Sequence, residues 1–351
     1  MPRIQYDEFS MLHENAEEWG IPYSAPPVVA RIEVPVTPGR RISALRWGTV
    51  APQLVLLHGG AQNAHTFDTV ALALSGPLLA VDLPGHGHSD AAPGGMGDVA
   101  GYARDVGAML GALGIAHVPV VGMSLGGMVA LLLATAIPDA VSRLGLVDVT
   151  PGLNPEKARH INEFVQGPAS FPDLDALVAR AMAFNPTRSE RSLRRGVLHN
   201  AVQQDDGTWV WRHQRHGAPA ATVTLEPVDA WAALSAVSVP VLLVRAMGEG
   251  SVVDDADEAE LLRRQPSATV VRVEGRATRS RATGRSSWPA RSGRSSGGSG
   301  PRSGLDVDVR RERERRMLRV GAAPEPRVRR GVRGDRLAVR LRSGLRGVDL
   351  L

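Results

Sequence analysis

The pentapeptide Gly122-Met123-Ser124-Leu125-Gly126 lies between a short apolar run, Val118 to Val121, and a longer one, Leu125 to Ala136, that suits a helix. The pattern G-x-S-x-G is weak alone, because glycine and serine are common. Its setting makes it informative. A serine on a turn tight enough to pass from strand directly into helix is strained, and side chains at the flanking positions would clash there. The turn lifts the hydroxyl beyond the strand end. It also leaves the Leu125 N–H at a helix N-terminus, where it can donate to a developing oxyanion. A chain built around this turn is constrained to strand–helix units.

The rest of the chain supplies them. Val28 to Val34 and Arg41 to Trp47 read as two strands joined through Thr37-Pro38-Gly39, with Pro35 suited to a strand end or a sheet edge. Leu54 to Leu57, Pro77 to Val81, Leu144 to Val147, Val239 to Val244 and Thr269 to Val273 are further short apolar runs. A helical pattern covers Val99 to Leu113. Short apolar strands alternating with helices predict an α/β fold with a mostly parallel central sheet and helices on both faces. The rhythm breaks after about residue 150, where Glu156 to Val165, Leu174 to Ala183 and Glu190 to Ala201 read as helices. This region is expected to form a helical cap.

Two more motifs agree with the first. His58-Gly59-Gly60 ends an early strand, and Asp82-Leu83-Pro84-Gly85-His86-Gly87-His88-Ser89 ends the next. Together with the serine turn, in this order and spacing, they resemble the α/β-hydrolase superfamily over residues 28 to 275. The resemblance implies a serine nucleophile at Ser124 and acyl transfer to water. It also implies an oxyanion hole from the backbone N–H of Leu125 and of Gly60 or Ala61. His58, His86 and His88 then take structural roles. Members with an aspartate nucleophile are disfavoured, since position 124 is serine. Esterases, lactonases, thioesterases and carbon–carbon bond hydrolases stay open. The resemblance implies no organic cofactor and no metal.

The same chemistry needs an acid. Asp148, directly after the run Leu144 to Val147, is favoured; Glu249, Asp254 and Asp255, after the run Val239 to Val244, are the alternatives. The competing structural role for Asp148 is a strand-end cap bonding nearby backbone. Phe164, Met182, Phe184, Trp209 and Trp211 would set specificity from the cap or form its core.

The general base is missing. A histidine is expected soon after the last strand, yet Glu274-Gly275 continues as Arg276-Ala277-Thr278-Arg279-Ser280, and all ten histidines lie at or before His216. His65, His199 and His216 are the available substitutes. From Arg276 to the end the chain holds 21 arginines against 7 acidic residues, a net of +14, although the whole chain carries only +5. One lysine, Lys157, against 40 arginines indicates GC-rich codons. A GC-rich spelling of Arg276 to Ala290, read two bases further on, gives Arg-His-Ser followed by an amphipathic helical pattern. The missing histidine codon would straddle Ala277 and Thr278. A reading-frame shift near Gly275 therefore accounts for both the absent base and the Arg-rich tail, which is expected to be disordered. The rival reading of the tail is a nucleic-acid-binding arm.

The expected organisation is an N-terminal extension (1–27), the first part of the core (28–149), the cap (150–228), the second part of the core (229–275) and the tail (276–351). With no cysteine, thiol and disulfide chemistry are excluded. MPRIQYDEFS carries no long apolar run and no stretch is long enough to span a membrane, so a cytoplasmic protein acting on a small molecule is expected. The alternative is a hydrolase-like binding protein that keeps the pocket without turnover.

Overall fold

The computed structural model describes residues 3–91, 98–152, 159, 163–213, 227–248 and 250–274. An eight-stranded sheet runs through them in the order β1-β2-β4-β3-β5-β6-β10-β11. Its strands are β1 (Val29–Thr37), β2 (Arg40–Trp47), β3 (Val55–Leu57), β4 (Leu78–Val81), β5 (Val118–Met123), β6 (Val141–Val147), β10 (Val241–Ala246) and β11 (Thr269–Val273). β2 pairs antiparallel with β1 and with β4, and every other ladder is parallel. β1 is an edge strand, and Pro35 sits where its register slips against β2. A residue without an N–H is tolerated at such a place. Gly39 turns the hairpin with φ 77°.

The central strands are apolar on both faces because both faces are covered. Alternation along each strand divides the core in two. Val55, Leu57, Val120, Leu144 and Leu243 face a cluster with α3 (Val99–Ala112), α4 (Leu125–Ala136), α7 (Pro227–Ala236) and α8 (Asp255–Arg264). Leu56, Val121, Val147 and Val244 face the other way, toward α1 (Leu12–Trp19) and α2 (Asp68–Leu74). α4 is apolar nearly all round and correspondingly buried.

The N-terminal segment is packed rather than loose. α1 ends on Gly20, whose left-handed conformation (φ 63°) lets the Ile21 N–H reach the Ala16 carbonyl at 2.8 Å. Leu12 and Ala16 are buried in the second core cluster. The opposite face carries Glu14, Glu17 and Glu18, which pair with Arg191 and Arg195 of α6 (Glu190–Asn200).

Between β6 and α7 the chain forms a separate layer. α5 (Leu174–Phe184) and α6 lie near their expected bounds, and they pack with a small antiparallel sheet of β7 (Ser170–Phe171), β9 (Trp209–Trp211) and β8 (Ala201–Gln203). Most of the helix expected at Glu156 to Val165 lies outside the described residues. Leu177, Val178, Leu193, Val197 and Trp209 form this layer's own apolar cluster.

Candidate active site

Ser124 joins β5 to α4 with φ 49° and ψ −118°, a conformation that non-glycine residues adopt only under constraint. The glycines show what imposes it. A Cβ on Gly122 would lie 2.0 Å from the Gly126 carbonyl oxygen, and one on Gly126 would lie 2.2 Å from the Leu57 carbonyl oxygen. Only glycine lets α4 start so close to β3 and β5. Ser124 Oγ makes no hydrogen bond among the described residues, while the Ser124 carbonyl accepts from the Gly127 N–H at 2.9 Å.

The His58-Gly59-Gly60 loop lies alongside. A Cβ on Gly59 would come within 3.4 Å of the Ser124 Cβ. Gln62 Oε1 accepts the Gly59 N–H at 2.9 Å, and Ala61 takes a positive φ of 59°. The Ala61 carbonyl is held by Asn200 Nδ2 at 2.6 Å, tying the loop to the end of α6. Among the described residues, the N–H groups of Gly60, Ala61 and Leu125 meet no hydrogen-bond acceptor. The sequence did not point to Gln62 and Asn200 as partners of this loop, because polar side chains near a glycine-rich loop carry no pattern of their own.

Asp148 stands one register step beyond Met123↔Val147, so Ser124 and Asp148 occupy adjacent strand ends. It is buried and has φ 47°. Its Oδ1 accepts from the Ala246 N–H at 3.0 Å and Ser251 Oγ at 2.6 Å, and its Oδ2 accepts from the Val252 N–H at 3.3 Å. Burial nevertheless leaves its pKa above the usual carboxylate value, against these donors. The loop after β10 thus supplies donors to Asp148. The alternative acids expected there have partners of their own. Asp254 caps α8, accepting the Asp257 N–H at 2.9 Å in a capping box. Asp255 is exposed and pairs with Arg245. Both are committed to the start of α8. Glu249 lies outside the described residues.

Among the described residues, His58, His86, His65 and His199 have partners other than Ser124. His58 is fully buried; its Nε2 accepts the Leu83 N–H at 2.9 Å, so Nδ1 carries the proton and donates to the Gly59 carbonyl at 2.7 Å. Burial lowers its pKa. Burial also takes His86 down to about 3, reinforced by His58; its Nδ1 lies 3.0 Å from the Pro84 carbonyl. Asp82 organises this loop. It accepts from the Ala64 and His88 N–H groups and pairs with Arg31 at 2.6 Å. Those partners hold its carboxyl well below the usual range despite complete burial.

His65 bridges Asp68 (Nδ1, 2.8 Å) and Glu8 (Nε2, 2.9 Å). Burial would lower its pKa, but the two carboxylates overcome this and raise it to about 9. His199 stacks on His65 with ring centroids 3.8 Å apart, and its Nδ1 bonds Tyr6 Oη at 2.6 Å. His216 lies outside the described residues, as do Gly275 and the tail. Of the expected cap residues, Phe164 stacks on Phe184 at 4.3 Å and lies 5.8 Å from Trp211; Trp209 is buried in the cap core, and Met182 is exposed.

Residues 54–277 match the model of the alpha/beta hydrolase family. The chain belongs to this family. It is 42% identical over 265 residues to esterase Rv0045c of Mycobacterium tuberculosis, covering 74% of this chain and 85% of that one. A solved structure of the same esterase, described with its transition-metal inhibition, superposes with a TM-score of 0.66 at 40% identity, over 77% of this chain and 92% of that one. The sn-1-specific diacylglycerol lipase ABHD11 of Mus musculus is 30% identical over 172 residues, 46% of this chain and 54% of the lipase. The family places the chain among hydrolases of small molecules, with esterase and lipase relatives. Among the described residues no helix is long and apolar enough to cross a membrane.

Proposed function

We propose that the chain is built as a serine ester hydrolase and that, as encoded, it lacks the general base for turnover. Ser124 Oγ attacks the ester carbonyl, and the Leu125 N–H with that of Gly60 or Ala61 receives the oxyanion. The alcohol leaves as the acyl group passes to Ser124, and water then releases the acid. Asp148 is the carboxylate that would orient the base. Its side chain accepts three donors, Ala246 N–H, Ser251 Oγ and Val252 N–H, none of them an imidazole.

The observation that carries this reading is Ser124 held at φ 49° by glycines that no other residue could replace. Strain of this kind costs about 1–3 kcal/mol and persists where the surroundings impose it. The esterase relatives support an ester substrate. The reading-frame shift near Gly275 belongs to the same proposal, since it removes the histidine and nothing else that the site uses. Of the substitute bases, His65 and His199 are engaged with Asp68, Glu8 and Tyr6.

The test resequences the gene across the codons for Gly275 to Arg291. It then compares the encoded chain, its Ser124→Ala variant and a frame-restored chain on short p-nitrophenyl esters. The restored chain should hydrolyse them through Ser124, and the encoded chain should be slower by roughly 10⁴-fold or more, because triad members act as a unit. Ser124-dependent turnover by the encoded chain at the restored rate would refute the loss of the base. A restored chain indifferent to Ser124→Ala would refute the nucleophile.

A further inference from the structure

Away from Ser124, one imidazole closes the N-terminal segment onto the core. His65 lies in the short 3-10 turn Ala64–Phe67 that leads from the loop beside Ser124 into α2. It is buried, with Nδ1 2.8 Å from Asp68 Oδ2 at the start of α2 and Nε2 2.9 Å from Glu8 Oε1 of the N-terminal segment. A neutral imidazole has one N–H. A carboxylate oxygen at hydrogen-bond distance from each nitrogen calls for two, which makes His65 an imidazolium. Burial works against that charge, but the two carboxylates overcome it and raise the pKa from 6.5 to about 9.

The surroundings suit one positive charge at this place. His199 of α6 stacks on His65 with ring centroids 3.8 Å apart and 11° between the planes. Burial, together with the charge on His65, holds the pKa of His199 well below 6.5, so the stacked pair carries a single charge. Tyr6 Oη meets His199 Nδ1 at 2.6 Å, and the Ile4 N–H donates to Gln203 Oε1 of β8 at 3.0 Å, so the N-terminal segment also touches the cap. On the core side, Arg31 of β1 donates through Nε to Glu8 at 2.7 Å and through Nη1 to Asp82 at 2.6 Å. His88 Nδ1 lies 3.8 Å from the same Asp82 carboxylate. Arg195 and Arg212 act on His199 by charge from the cap, and Arg195 is paired with Glu14 and Glu18.

The two carboxylates on His65 differ in their other partners. Glu8 also has Arg31. Among the described residues Asp68 has no side-chain hydrogen-bond donor besides His65, and its Oδ1 has no partner. When His65 gives up one proton to solvent, the other is therefore needed at Nδ1. Nε2 then presents a lone pair to the Glu8 carboxylate, and that contact changes from attraction to repulsion.

We propose that the His65 imidazolium is a clasp that straps residues 4–9 across the core and the cap, and that loss of its Nε2 proton releases the strap at Glu8. The clasp bears on the loop beside Ser124. Asn63 Oδ1 accepts the His65 N–H at 2.9 Å, and Asn63 Nδ2 donates to the His199 carbonyl at 3.1 Å. Asn200, the next residue, holds the Ala61 carbonyl through Nδ2 at 2.6 Å. The strap thus backs the junction between α6 and that loop, whether or not the chain turns over a substrate.

The experiment uses the full chain with isotope-labelled histidine side chains, followed by NMR from roughly pH 6 to pH 10.5; the His65 signals are those lost in His65→Gln. Amide exchange of residues 4–9, corrected for the intrinsic rate at each pH, is measured alongside. A folded pKa of about 9, above the ordinary 6.5, gives a contribution that is full below pH 6.5 and lost as the pH rises through 9. His65 should titrate near 9, and protection of residues 4–9 should fall by roughly 100-fold about the same midpoint while β5 stays protected. Glu8→Gln keeps the shape and removes one charge. It should lower the His65 midpoint by about one pH unit or more and uncouple the strap's protection from it. Tyr6→Phe removes only the contact with His199 and should leave the midpoint in place. A wild-type His65 midpoint at or below 6.5 would overturn the proposal. So would residues 4–9 that keep their protection through the midpoint, or that lose it together with β5.

Discussion

The close approach of Gly126 to the end of β3 can be tested without any substrate. An alanine Cβ at position 126 would stand 2.2 Å from the Leu57 carbonyl oxygen and 2.6 Å from that of His58. Real Cβ atoms essentially never approach within 3.0 Å, so the first turn of α4 and the end of β3 must separate by close to an ångström. Neither can give by rotating a side chain, because both obstacles are backbone. Overpacking costs typically 1–3 kcal/mol, and a backbone obstacle puts Gly126→Ala at the upper end, about 3 kcal/mol. That corresponds to a fall in Tm of roughly 6–12 °C for a domain of this size. The control is Gly111→Ala. Gly111 lies within α3, its Cβ would meet nothing within 4 Å, and the change should stabilise by about 0.5–1 kcal/mol through helix propensity. Urea unfolding of both variants, followed by tryptophan fluorescence, gives the comparison. If Gly126→Ala matches the wild-type midpoint, the glycine is not there for steric reasons, and the serine turn is looser than its geometry implies.

Ser124→Gly should be more stable than Ser124→Ala by about 1 kcal/mol, since only glycine relieves a positive φ; equal denaturation midpoints would remove the strain from the account. His86, whose folded pKa lies near 3 and far below the unfolded value, contributes stability that is present above about pH 6.5 and lost as the pH falls toward 3. The loss should approach 1.4 kcal/mol per pH unit for this one proton, and urea midpoints of His86→Leu between pH 7.5 and 5 should fall less steeply than those of the wild type. Glu14→Gln with Glu18→Gln leaves the buried Arg195 guanidinium without its carboxylates and should destabilise by about 3 kcal/mol. Glu17→Gln, which touches only the exposed Arg191, should leave the unfolding midpoint unchanged.

The sheet was legible because its strands are short apolar runs with glycine or proline at their ends, and α4 has the bounds its composition implies. The cap's small sheet was not. Ser170–Phe171 is too short to show a period of two, and β8 and β9 are three residues each. Asp148 was legible by position, as a carboxylate at a strand end. Its cradle was hidden, because Ser251 lies 103 residues further along and carries no motif. The same holds for Tyr6, which reaches His199 across 193 positions. Local pattern reveals which residues start and stop an element. It is silent about which distant side chain meets the element's end.

On the proposed reading, the parts of the site differ in how they depend on the chain beyond residue 275. The serine turn is imposed by β3, β5 and α4; the oxyanion donors belong to that turn and to the loop after β3; Asp148 is held by the loop after β10. Each is fixed by contacts among residues before β11. The base alone would come from the loop after β11, an edge strand held by β10 on one side. A shift of frame at that point removes one imidazole and keeps the strain, the donors and the acid. Such a chain should still bind a ligand that presents a carbonyl or an oxyanion near Ser124, yet react slowly with a fluorophosphonate, which needs an activated hydroxyl. Ligand stabilisation without labelling would separate an intact cradle from a missing base. Loss of both would mean that the C-terminal segment also holds the cradle together, and that its replacement damages the fold as well as the chemistry.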